Sequence, residues 1–138
     1  MIKIAGMWER TWNAPLMEIN VWELLVREFL VDQFYMVPVS GILNQYLTER
    51  QTMQEVLEEN RDLNIIFLHE KGSVRLKDFI HPENVLYIFG KSGVNLTPLL
   101  KRGIDISLKV ETPRDSGLMQ GIHTASIILY DRFKKSWQ

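Results

Sequence analysis

The stretch Val85-Leu86-Tyr87-Ile88-Phe89-Gly90-Lys91-Ser92-Gly93 decides the fold. Its first five residues are apolar or aromatic without a break, which predicts a strand covered on both faces; a half-exposed strand would alternate. The run stops at two closely spaced glycines, which suit either a plain turn or the close approach of a ligand to the backbone. Downstream, residues 96–101 predict a short helix and residues 104–110 a further strand. Glu111-Thr112-Pro113-Arg114-Asp115-Ser116-Gly117 reads as an irregular polar loop, of the kind that either covers a surface or carries a site. Residues 118–133 then predict a long helix, apolar on most sides until its basic end at Arg132, Lys134 and Lys135.

Upstream of Val85 the pattern repeats strand, then helix. Residues 2–7 form a short apolar run. Asn13 and Pro15 suit the start of a helix, and Leu16, Ile19, Trp22, Val26, Phe29 and Leu30 recur at helical spacing to about residue 30. Glu18, Glu23 and Glu28 on that helix are expected to be solvated. Residues 33–39 predict a second strand. Thr48 with Gln51 suits a capping box for the next helix, whose apolar stripe is Met53, Val56 and Leu57 and whose acidic face is Glu49, Glu55, Glu58 and Glu59. Residues 63–68 predict a third strand, 76–79 a short helical turn, and His81-Pro82-Glu83-Asn84 a turn. Alternating strands and helices imply an α/β fold with a mostly parallel sheet and helices on both faces. In such sheets ligands bind beyond the carboxyl ends of the strands, here residues 7–13, 39–43, 69–73, 90–95 and 111–117.

Composition narrows the function classes. At 138 residues the chain suits one domain, 1–138, able to bury a core without disulfides or metals. There is no cysteine, so thiol catalysis and thiolate metal sites are excluded; a reducing cytoplasm is the expected compartment. A formal net charge of −1 gives no overall basic balance for nucleic acid. No signal peptide and no membrane span are expected. His69, His81 and His123 lack metal-ligand spacing, and no metal is expected. His69 and His81 stand in loops, and His123 reads as a core or interface residue. No nucleophile–base pair stands out.

Taken together, the two loops and the last helix resemble the SpoU branch of the SPOUT RNA methyltransferases. In that family a strand ends in apolar-Phe-Gly-x-Glu, matched here by Tyr87-Ile88-Phe89-Gly90-Lys91-Ser92. A later strand runs into an Ile-Pro-Met loop, where Val110-Glu111-Thr112 stands. A Ser-Leu-Asn stretch then opens the last helix, where Leu118-Met119-Gln120 stands, and the helix closes on Ile128-Leu129-Tyr130-Asp131 in place of a Leu-Tyr-Glu signature. The spacing from Val110 to Gln120 and on to Tyr130 fits without a gap. The family's Glu is Ser92 here and its Asn is Gln120. Its early Asn-x-Gly-x-x-x-Arg run has no clear match, and alignment on residues 29–32 puts Leu24 in place of the Arg.

The resemblance implies a C-terminal trefoil knot over about residues 85–133 and S-adenosylmethionine held by backbone groups of the three knot loops. That places Leu68, His69, Phe89, Gly90, Lys91, Val110, Thr112, Leu118, Met119 and Gln120 around the cofactor. It implies a homodimer packed through the first and last helices, and RNA as substrate, with a tRNA ribose 2′-hydroxyl one acceptor. Arg10 and Arg114 are the candidates to hold phosphate, and Lys91 and Glu111 to lie near the acceptor. The alternative is a catalytically degenerate dimer of the same fold, acting as a binding or interaction module.

Overall fold

The computed structural model describes residues 1–9, 15–90, 106–116 and 119–137. Seven strands form one sheet: β1 (Ile2–Met7), β2 (Gln33–Val37), β3 (Leu47–Glu49), β4 (Asn64–Leu68), β5 (Val74–Arg75), β6 (Val85–Phe89) and β7 (Ile106–Lys109). Their order is β3-β2-β1-β6-β4-β7-β5, and every pairing among them is parallel. Three described helices cover it: α1 (Pro15–Glu28), α2 (Met53–Glu59) and α3 (Gly121–Ser136). The expected α/β architecture with helices on both faces is what the chain adopts.

The unbroken apolar strands belong at the centre of this sheet. All five residues of β6 are buried, because alternate side chains feed two separate cores. Tyr87 and Phe89 join Ile4, Phe34, Ile66 and Leu108 beneath α1 and α3. Leu86 and Ile88 join Ala5, Tyr35, Ile65 and Phe67 beneath α2. On the first face Trp22 of α1 stacks on Phe34 at 5.5 Å and tilts against Phe89 at 6.2 Å, fixing α1 across β2, β1 and β6. On the second face Asn60, fully buried at the end of α2, donates to Val56 O and Tyr35 Oη and accepts from Lys3 Nζ.

Four local expectations are corrected. Thr48 does not cap α2; it lies in β3, paired with Tyr35, and Thr52 caps instead by accepting from Glu55 N at 3.2 Å. Residues 48–51 and 52–55 both carry the Thr-x-x-Gln/Glu pattern, and the ladder to β2 claims the first. The last helix opens at Gly121, not at Leu118, with Gln120 as its cap residue. Glu18 is buried rather than solvated, and His123 is exposed on the chain rather than in its core. The short strands β3 and β5 were not foreseen; each has too few residues to show a period. The expected helix over 96–101 and the start of the strand at 104 lie outside the described residues.

Candidate functional site

The parallel register lines up the strand ends that matter. Leu68 of β4 pairs with Phe89 of β6 on one side and with Leu108 of β7 on the other. The segments leaving these strands, at Gly90, His69 and Val110, therefore emerge side by side. Two glycines show how closely they pack. A Cβ on Gly121 would sit 3.1 Å from the Gly90 carbonyl oxygen and 3.3 Å from Phe89 Cβ, so the first turn of α3 rests directly on the end of β6. A Cβ on Gly72 would sit 2.6 Å from the Leu108 carbonyl carbon, so the turn after β4 lies against β7. That turn is fixed by His69 N donating to Leu108 O and Gly72 N donating to His69 O, both at 3.0 Å.

Among the described residues, side chains around this junction mostly brace their own loops. Asp115, at φ 52°, donates its N–H to Thr112 Oγ1 at 3.0 Å and pairs its carboxylate with Lys109 Nζ at 3.0 Å. His69 Nδ1 accepts from Lys71 N at 3.0 Å. Gln120 N donates to His123 Nδ1 at 3.1 Å, which caps α3. Glu111 forms an exposed ion pair with Arg75 at 2.9 Å. With these side chains so engaged, the described part of the junction offers a ligand chiefly peptide N–H and C=O groups, together with the positive end of a helix dipole.

The structure brings together Leu68, His69, Phe89, Gly90 and Val110 at adjacent strand ends and Met119 and Gln120 at the start of α3. Thr112 follows two residues after Val110, in the braced loop. Arg114 is exposed on that loop. Arg10, Lys91 and Leu118 lie outside the described residues. Leu24, where the resemblance expected an arginine, is exposed on α1.

Sequence reasoning missed two features. Glu9 and Glu18 are 6% and 3% exposed, and Glu9 N donates to both carboxylate oxygens of Glu18, at 2.8 and 3.1 Å. This ties the chain leaving β1, next to β6, onto the first turns of α1. At the amino end of β6, the loop residue His81 lies between Tyr87 Oη at 2.6 Å and Asp131 Oδ2 at 2.7 Å. Burial pushes the Tyr87 phenol up to about 12 and pulls the His81 imidazole below its usual range. No local pattern announces either contact, because the partners are 6 to 50 residues apart in sequence and lie on different elements.

Solved structures share this architecture. A SpoU methyltransferase, AviRb from Streptomyces viridochromogenes in complex with AdoMet, superposes with a TM-score of 0.80 at 10% identity, over 100% of this chain and 58% of that one. This chain has the SPOUT-like methyltransferase fold. A structure concerned with 2-OH methylation of C/U34 on tRNA matches at TM-score 0.73 and 14% identity, over 98% of this chain and 96% of the other. An AdoMet-bound rRNA methyltransferase from Sinorhizobium meliloti matches at TM-score 0.72 and 8% identity, over 97% and 56%. This chain thus spans nearly the whole length of one of these structures and rather more than half of the other two. No protein family's profile matches the sequence, and no curated protein matches it.

Among the described residues no helix is long and apolar enough to cross a membrane, and no group of three or more His, Asp or Glu could hold a metal ion. Apolar side chains are exposed on the two helices that share a face: Leu16, Met17, Val21 and Leu24 on α1, and Ile127, Tyr130 and Phe133 on α3 with Trp137 just beyond it. Phe133 and Trp137 meet edge to face at 4.7 Å.

Proposed function

We propose that the chain is an S-adenosylmethionine-dependent RNA methyltransferase acting on a ribose 2′-hydroxyl, with tRNA as its substrate class. The observation that carries this reading is the contact of Gly121 with Gly90, which leaves the start of α3, the end of β6 and the turn after β4 converging with their backbones. The neighbours of the same fold include proteins solved with AdoMet and one concerned with 2-OH methylation of tRNA. Backbone groups of Leu68, His69, Phe89, Gly90, Val110, Thr112, Met119 and Gln120 would hold the cofactor, with Lys91 and Leu118 completing the set by resemblance. When bound, the cofactor supplies an activated methyl group. The chain's own contribution is to hold donor and acceptor in line, which is the larger part of catalysis when no side chain must change covalently.

The reading extends to a knot over about residues 85–133 of a single domain 1–138, to a cytoplasmic location, and to a homodimer through α1 and α3. The exposed apolar residues on both helices support the dimer, since aromatic and aliphatic side chains exposed on one face suit an interface better than solvent. Methyl transfer from labelled S-adenosylmethionine to bulk tRNA, by the purified dimer, tests the reaction. Incorporation at ribose 2′ positions supports it, and binding of the cofactor without transfer to tRNA or rRNA sinks it.

A second reading keeps the fold and loses catalysis. Exposed Leu24 in place of the expected arginine, and Glu111 committed to Arg75, favour a binding or interaction module. Changing Arg10, Arg114 and Lys91 singly to Ala separates the two: transfer abolished in one variant identifies an enzyme.

A further inference from the structure

The buried polar chain at the amino edge of the sheet has a direction that fixes its protonation. Arg132 is an obligate donor, and its Nη1 lies 2.6 Å from Pro82 O and 3.1 Å from Tyr87 Oη. Tyr87 Oη therefore accepts there and gives its one proton to His81 Nδ1, 2.6 Å away. His81 must then carry its proton on Nε2 and donate it to Asp131 Oδ2 at 2.7 Å. The same carboxylate oxygen accepts from Lys135 Nζ at 2.8 Å, and Lys135 also donates to Leu76 O and Phe79 O. With neutral His81 every group is used, and among the described residues no buried side-chain polar atom lacks a partner.

Hydroxyl, imidazole and carboxylate in line resemble a catalytic triad. Tyr87 is fully buried, however, so no substrate reaches its hydroxyl. The chain instead fastens the C-terminal half of α3, which supplies Asp131, Arg132 and Lys135, to the 76–87 segment.

We propose that His81 is an acid-sensitive latch: protonating its ring unfastens the C-terminal half of α3 from the segment before β6 and loosens the face that carries Tyr130, Phe133 and Trp137. A second proton on the ring makes Nδ1 a donor. Tyr87 Oη then faces donors from both His81 and Arg132, and its own buried proton has no acceptor. The cationic ring is also badly placed for charge. From α3 it faces Arg132 and Lys135 against the single carboxylate of Asp131; from β6 it faces only the phenol. From its own segment it meets the edge of Phe79 at 4.9 Å, and Lys77 and Asp78 there are exposed. Burial and these two cations hold the folded imidazole below its ordinary value. The sign follows: the unfolded chain takes up the proton first, so the latch contributes fully above the ordinary histidine range and is lost as pH falls through it toward the folded value. This inference does not depend on the methyl-transfer reading.

The test is hydrogen exchange of amides 128–136 together with NMR titration of the histidine rings, for the wild type, Tyr87→Phe and His81→Phe. In the wild type the His81 midpoint lies below the ordinary histidine value, and exchange in α3, corrected for the intrinsic pH dependence of amide exchange, rises about tenfold between pH 7.5 and 5.5. In Tyr87→Phe no phenol proton is stranded, so the His81 midpoint moves up and the acid-induced rise shrinks. In His81→Phe the rise is absent. A His81 midpoint at or above the ordinary histidine value, or an equal rise in wild type and His81→Phe, overturns the proposal. Should His81→Phe not fold, the Tyr87→Phe comparison decides.

Discussion

At its C-terminal end α3 is fastened by side chains: Asp131, Arg132 and Lys135 reach His81, Tyr87 and four backbone carbonyls across the amino edge of the sheet. At its N-terminal end the same helix meets the sheet through Gly121 on Gly90, with almost no side chain between. The first arrangement saturates its polar groups and gives rigidity. The second brings backbones to near contact and leaves peptide groups pointing where a ligand could use them. One end of the helix is closed by side chains, and the other borders the candidate site.

That contrast can be broken in graded steps. The largest effect belongs to Gly72→Val, because a side chain there must displace the backbone of Leu108 and Lys109; a loss of about 3 kcal/mol is expected in urea unfolding. Asp131→Ala comes next. It strands His81 Nε2–H and one Lys135 contact in a half-buried place, which costs about 2 kcal/mol and is greatest at neutral pH. Glu111→Ala is the smallest: its pairing with Arg75 is exposed on both sides, so unfolding should change by less than about 0.5 kcal/mol. A large loss in Glu111→Ala, or none in Asp131→Ala, would mean that the two ends of the sheet do not differ as described.

Much of the fold was legible because the central strands carry their own signature. Residues 2–7 and 85–89 are strands to the residue, since a doubly covered strand needs no partner to declare itself. The helix over 15–30 ends two residues early, at Glu28, and Leu30 turns to φ 52° to lead into β2. The strand-end segments of the candidate site were legible for the same reason: they are where the strands stop. What sequence could not show was which side chains meet across the fold. Glu18 sits at a helical position that reads as exposed until the chain leaving β1 folds back on it. His81 looked like turn chemistry, yet its partners lie in β6 and α3. Thr48 and Thr52 were locally equivalent as caps; only the pairing of β3 with β2 distinguishes them, and Thr52→Ala should cost about 1 kcal/mol.

The most direct measurement is a calorimetric titration of S-adenosylhomocysteine into the wild type and into Gly121→Val, with thermal unfolding of both. A valine side chain at 121 would enter the space against Gly90 O and Phe89 while changing no polar partner. The account predicts one site per chain in the wild type and an affinity at least about 100-fold weaker in the variant, for a folded protein. No heat from the wild type, or equal binding by the two proteins, would contradict it.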